Sequence, residues 1–216
     1  MSTITKLSIQ KNKRRVNLYL DNRFGFGLDL EETIKLGLKV GKELEPASIS
    51  QLIKTDQLIK LYQKTLNFLS YRPRSQKEIK DHLNKNLYKL QLIEATSKQE
   101  IIDKILAKLL KQKLIDDVKF ANWWVEQRLS FRPKSSRFLR LELRQKGIEQ
   151  VIIDQVLANI NQSKQEELAL SIVNKKMNNL KNLPLIKIKQ KLFNLLLSRG
   201  FDYSLAKKVI DENSKK

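Results

Sequence analysis

The chain of 216 residues has no cysteine, one histidine, four prolines and six glycines. Without cysteine there is neither a disulfide nor a thiolate metal site. So little glycine and proline argues against a loop-rich or all-β protein. The single histidine, His82, has Asp81 beside it, but adjacent helical positions point in different directions and make no dyad. No Asp/Glu cluster has metal-ligand spacing. A metal-dependent hydrolase or nuclease would need such a cluster, so no catalytic residue, metal or cofactor is expected, and His82 reads as structural. No uncharged apolar run reaches the length of a bilayer span. MSTITKLSIQKNKRR places polar residues where a signal peptide has its apolar core. Both features fit a cytoplasmic protein with no membrane attachment.

Acidic residues are also scarce: 23 against 43 Lys and Arg, a net charge of +20. That exceeds what solubility requires, and such a charge attracts polyanions: nucleic acid, an anionic membrane or an acidic protein surface. The bland alternative is a lysine-rich composition with no specific partner.

Two kinds of periodicity divide the chain. In the first 46 residues, ITKLSIQ and RVNLYL alternate apolar with polar residues as half-buried strands do. KNK and Asp21-Asn22 are turn signals, and FGFGLD supplies a third strand. A short helix over Leu30–Leu36 is stopped by Gly37. Gly25-x-Gly27 lacks the third glycine and the Lys-Ser/Thr of a phosphate loop. Residues 1–46 therefore read as a β-meander extension, and from about residue 47 the pattern is helical throughout.

The helices repeat. IIDKIL at 101–106 returns as IIDQVL at 152–157, and SLAKKVI takes that place near the C-terminus. Upstream, SYRPRS at 70–75 returns as SFRPKS at 130–135, 60 residues on. Each introduces a helix with an apolar pair, Ile79 and Leu83, then Leu139 and Leu143; Leu192 and Leu196 form the third. KGI and RGF close the second and third of these helices, and Asn86 fills the glycine slot of the first as a left-handed stop. Proline disfavours helix before it and suits a helix start. Ser75 is placed to cap, with Glu78 completing a capping box, and Ser135 caps without one. The reading is three three-helix repeats, 58–115, 117–162 and 166–214, the first enlarged around YKLQLIEATSKQE. Tandem units of this kind form an elongated, curved array. The fold class is thus mostly α with a small β-rich extension.

Bases concentrate at the repeated turns. Arg128, Arg132, Lys134, Arg137, Arg140, Arg144 and Lys146 face one acid, Glu142, and the spacing of Arg137, Arg140 and Arg144 puts them on one helix face. Arg72, Arg74, Lys77 and Lys80 make a weaker strip. A solvated face is one reading; a polyanion-binding face shared by two repeats is the other, and the repetition favours it. Trp123 and Trp124 could stack on bases, but Phe120 and Trp124 share a face, which favours core packing. Tyr71 and Phe131 read as clamps between consecutive helices.

LNFLSYRPRSQKEIKDHL, LIDDVKFANWWVEQRLSFRPKSSRFLRLELRQKGI, RGF and the extension's KLGLKVGKEL together resemble the RecX regulatory proteins, modulators of the RecA recombinase. The sequence departs from the family at Pro133-Lys134-Ser135, where members carry glycine, and at Asn86; the third repeat is the least typical. The resemblance implies a non-enzymatic, cytoplasmic protein, here expected to be a monomer, acting in DNA recombination, repair and the SOS response. It would lodge in the groove of the RecA–single-stranded-DNA filament and reduce recombinase, ATPase and coprotease activities, direct contact with the DNA being left open. The bases assigned to binding are Arg72, Arg74, Arg128, Arg132, Lys134, Arg137, Arg140, Arg144 and Lys146. The alternative is a general nucleic-acid-binding helical protein that acts without RecA.

Overall fold

The computed structural model describes residues 1–90, 95–180 and 183–213, without the side chains of 89–90 and 95–97. It places four strands and ten helices among them. Two compact units form: Met1–Tyr71 with His82–Ile105, and Arg72–Asp81 with Leu106–Lys216.

In the first unit β1 (Ser2–Ile9), β2 (Arg15–Leu20) and β3 (Arg23–Asp29) make the expected antiparallel meander. Asp21 and Asn22 turn β2 into β3 with φ of +50° and +66°, as a two-residue hairpin requires. A fourth strand, β4 (Glu43–Leu44), pairs with Ser2 and Thr3 at the outer edge of β1. Two residues carry no alternation to read, so only this pairing defines it. The inward positions Ile4, Leu18 and Leu28 form a core with Leu38, Leu44 and Leu52. Between β3 and β4 lies α1 (Leu30–Lys35), capped by the Asp29 carboxylate and ended by Gly37 at φ +57°.

Leu52 belongs to α2 (Pro46–Ser70), which starts with proline in its first turn. One turn after Leu52, Asp56 is buried and meets Arg15 of β2: Nη1 lies 2.9 Å from Oδ1, and Nη2 donates to Oδ2 at 2.9 Å. Arg15 also donates to the Gly27 carbonyl, and Lys60 approaches Asp56 from one turn on. A charge-assisted clamp thus ties the middle of the sheet to the helix. His82 is half-buried and stacks on Phe68, with ring centroids 4.2 Å apart.

α3 (Gln76–Leu90) runs through Asn86 without a left-handed residue. The stop expected there is not made; the Asn86 amide donates to the His82 carbonyl one turn back. α4 spans Ala95–Lys111. Of the enlargement expected at 88–100, residues 91–94 lie outside the described residues.

The second unit contains α5 (Asp117–Phe131), α6 (Ser136–Gln145), α7 (Gln150–Leu157), α8 (Gln162–Met177), α9 (Leu185–Ser198) and α10 (Tyr203–Asn213). One continuous core links Phe120, Leu139, Leu143 and Ile153 to Leu168, Leu192, Leu196 and Val209. Ile79, Leu83, Leu139, Leu143, Leu192 and Leu196, the apolar pairs read from the repeat, are all buried.

The duplicated turn has a packing role within this unit. Its serine docks on the left-handed stop of the helix that follows in the next repeat. Ser75 Oγ donates to the Lys146 carbonyl at 2.7 Å, and the Ser135 amide donates to the Arg199 carbonyl at 3.1 Å. Gly147 and Gly200 follow those carbonyls at φ +76° and +85°. A Cβ at Gly147 would come within 2.7 Å of Lys77 Cβ. In the third repeat NLPLIK stands in the place of the RPxS turn.

Ser75 accepts the Glu78 amide and Ser135 the Phe138 amide, so both serines cap. The Glu78 carboxylate, expected to complete a capping box, accepts from Arg72 and Lys146. Tyr71 and Phe131 are not clamps. They are 83% and 77% exposed, because serine and glycine, not the aromatic rings, make the docking contact.

Candidate polyanion interface

All nine bases assigned to binding lie in the second unit, and packing sorts six of them into three groups. The first surrounds Glu78. Arg72 donates to both of its oxygens at 2.9 Å, and Lys146 reaches Oε1 from the end of α6. The second surrounds Glu142, the lone acid of the basic stretch. It accepts from Arg128 Nε at 2.8 Å, from Lys134, and from Trp124 Nε1 at 2.9 Å. Trp124 joins the two groups: the Arg128 guanidinium lies 4.5 Å and the Lys146 ammonium 5.0 Å from its ring centroid, inside the range of cation–π attraction. Trp123 and Trp124 also pack on the core, as the spacing of Phe120 and Trp124 favours.

The third group lies along α6. Arg140 pairs with Asp154 of α7, and Arg144 donates to Gln150, whose amide in turn holds Asp154. Leu139 and Leu143 fill the opposite face of α6 and turn these arginines outward. Arg132 and Arg137 are exposed, and among the described residues no carboxylate pairs with either. Arg74 is half-buried; burial, then the neighbouring Arg72, lowers its pKa.

Most of the basic stretch is thus internally compensated. Arg72, Arg128, Lys134 and Lys146 hold helices together, whereas Arg132, Arg137 and Arg144 face solvent. Glu78 and Glu142 are the residues composition undervalued, and an acid isolated among seven bases is the signal that marks Glu142. For both acids burial alone would raise the pKa. The hydrogen bonds from Lys134, Trp124 and Arg128 at Glu142, and from Arg72 and Lys146 at Glu78, outweigh it and hold both below the ordinary 4.5.

A depressed carboxylate stabilises the fold above its unfolded pKa, and that stability is lost as pH falls through the folded value. The protein should therefore lose stability progressively below about pH 4.5. Glu142→Gln should cost about 2 kcal/mol at pH 7, the scale of hydrogen bonds to charged groups. Toward pH 3 the variant should converge on the parent, roughly within 0.5 kcal/mol. Urea denaturation followed by fluorescence of Trp123 and Trp124 reads this; a pH-independent difference would refute the assignment.

Among the described residues no three His, Asp or Glu side chains meet as a cation site, and no helix is long and apolar enough to cross a membrane.

Comparison with known proteins matches four segments of the chain. Residues 2–45 match the Regulatory protein RecX N-terminal domain. Residues 62–96, 116–157 and 164–210 match the first, second and third three-helix domains of RecX. The chain belongs to the RecX family of regulatory proteins. Regulatory protein RecX of Clostridium botulinum strain Alaska E43 is 32% identical over 215 residues, covering 98% of this chain and 96% of that protein. Its Bacillus pumilus counterpart is 35% identical over 213 residues, 98% of this chain and 78% of that one. A crystal structure of regulatory protein RecX covers 98% of this chain with a TM-score of 0.64 at 31% identity, and all of that chain is matched. RecX from Lactobacillus salivarius gives 0.56 at 27% identity, over 75% of this chain and 99% of its own. The resemblance read from the Arg-Pro turns and the Lys-Gly-Ile block therefore holds along the RecX domains, and these relatives are named as regulatory proteins.

Proposed function

We propose that this protein binds the RecA–single-stranded-DNA filament in its groove and modulates RecA, chiefly by inhibiting its recombinase, ATPase and coprotease activities. It does so as a cytoplasmic monomer with no catalysis or cofactor of its own. The observation that carries this reading is the match to all four RecX domains; the net charge of +20 and the solvent-facing Arg132, Arg137 and Arg144 support it. Contact alone suffices for the effect, because a ligand that binds one state of an assembly shifts its equilibrium by mass action. Arg72, Arg128, Lys134, Arg140 and Lys146 contribute as the compensated frame that holds the exposed guanidinium groups in place, with the half-buried Arg74 beside Arg72.

RecA-dependent ATP hydrolysis on single-stranded DNA, measured with increasing amounts of this protein, tests the reading. Inhibition is expected at levels well below those that coat the DNA. Inhibition only at coating levels would favour the second reading, a general nucleic-acid binder, which the excess charge by itself would produce. Arg137→Ala should raise the half-inhibiting concentration about fivefold, the value of roughly one exposed charge contact. Its stability should stay within about 0.5 kcal/mol of the parent, as for most surface substitutions. Unchanged inhibition would remove Arg137 from the interface.

A further inference from the structure

The two Arg-Pro junctions differ in one respect that matters chemically. At the first, Glu78 neutralises Arg72 and Lys146. At the second the residue in Glu78's place is Phe138, and Arg199, in the place of Lys146, donates from Nη1 to the Pro133 carbonyl at 3.3 Å, with no carboxylate paired to it among the described residues. Burial, then the charge of Arg132, lowers the pKa of Arg199. Beside this junction lies a cleft of about 350 Å³, formed by the end of α5, the last turns of α8 and the end of α9. Lys175, Lys176 and Arg199 line it, together with Ile172 and Leu195, and among the described residues no acid does. No ion pair within the described chain occupies Lys175 or Lys176. Phe131 forms one wall and is 77% exposed, a large apolar cost with no packing return inside the chain.

We propose that this cleft is a binding site for single-stranded nucleic acid, with phosphates held by Lys175, Lys176 and Arg199 and one base resting on Phe131. Uncompensated cations beside an exposed ring are what a single strand recognises: the charges track the backbone, and the ring offers a π-face to a base of any identity. An acidic peptide would satisfy the cations but leave Phe131 uncovered. The site deepens the functional reading above and rests on it for its biological setting, since it gives direct DNA contact a location. The replacement of Glu78 by Phe138 between repeats leaves Arg199 without the carboxylate that Glu78 offers Lys146.

The test uses the full chain without RecA, so that it fails separately from ATPase inhibition. Binding of a fluorescent oligo-dT is followed by anisotropy across a series of salt concentrations. The double variant Lys175→Ala/Lys176→Ala should bind about tenfold more weakly, with the slope of log affinity against log salt reduced by about 1.4, two phosphate contacts' worth. Phe131→Ala should also weaken binding about tenfold, the scale of one stacked base, with the slope unchanged. Lys11→Ala/Lys13→Ala removes the same charge from the β-meander and should alter affinity less than about twofold if charge alone is not the cause. Equal losses in the two lysine pairs, or an unaffected Phe131→Ala, would overturn the site. So would an acidic peptide that binds more tightly than oligo-dT with the same sensitivity to these variants. All five positions are exposed, and unchanged thermal melts will show that folding is not what the variants alter.

Discussion

Asp56→Ala should destabilise the first unit by about 3–5 kcal/mol, the range for removing one partner of a buried pair. Asp56 is 3% exposed. Its removal strands the Arg15 guanidinium, whose side chain is only 17% exposed, and a buried charge without a partner costs more than the pair itself contributes. Lys60 offers no rescue, because it is a second cation, half-exposed at the helix surface. The loss should be local at first: backbone amides of β2 and β3 should exchange with solvent faster, while those of α6 and α9 keep their protection. Arg15→Met/Asp56→Leu removes both charges together and should cost less than either single truncation, because it leaves no orphan. Hydrogen exchange with mass detection on the three variants measures this. A loss below about 1 kcal/mol for Asp56→Ala would mean the pair behaves as a solvated surface bridge, and the clamp assigned to it would be wrong.

Gly200→Ala should cost about 3 kcal/mol, through two separable causes. The first is conformational: at φ +85° an L side chain is strained by about 1–2 kcal/mol. The second is steric: a Cβ there would lie 2.5 Å from Phe138 Cγ and 2.7 Å from Ser135 Oγ, and overpacking costs about 1–3 kcal/mol. For a chain of 216 residues the sum corresponds to a drop of roughly 6–12 °C in melting temperature. Gly41→Ala isolates the first cause. Gly41 has φ +87° but nothing within 4 Å of its would-be Cβ, so the expected loss is about 1–2 kcal/mol. Gly200→Asn tests the second: asparagine tolerates left-handed backbone better than alanine, yet it carries the same Cβ, so the steric part of the loss should remain. If Gly200→Ala melted like Gly41→Ala, the close approach of consecutive repeats at this glycine would be refuted.

The repeat boundary shows how far local reading reaches. The pairs Ile79/Leu83, Leu139/Leu143 and Leu192/Leu196 were legible because a helix buries residues four apart whatever it packs against. Gly37, Gly147 and Gly200 were legible as stops because left-handed backbone favours glycine in any context. Asn86 shows where the reasoning fails. Its slot in the repeat suggested a stop, but the helix continues through it. Glycine is needed in the second and third repeats because Lys77 and Phe138 of the preceding helix press on it. At Asn86 the side-chain amide donates to the His82 carbonyl within a continuing helix. Tyr71 and Phe131 failed likewise: aromatic character suggested a clamp, while the docking is done by Ser75 and Ser135 with partners 71 residues on, at Lys146, and at Arg199.

The basic face was legible as charge and not as geometry. Counting Arg128 through Lys146 against Glu142 marked a cationic stretch, yet four of the nine assigned bases turn inward to Glu78 or Glu142. Lys175, Lys176 and Arg199 were not singled out, because the lysine pair ends α8 while Arg199 follows α9, and no sequence spacing links the two.

Sequence by itself determined the periods, the stops, the excess of positive charge and the family, since each depends on residue type and short-range spacing that survive any packing. Tertiary structure alone decided which charges cancel and which remain. Arg15 meets Asp56 and Arg72 meets Glu78, but among the described residues Arg199 meets no acid, and that difference arises only when elements distant in the chain bring side chains within the few ångströms over which a carboxylate neutralises a base.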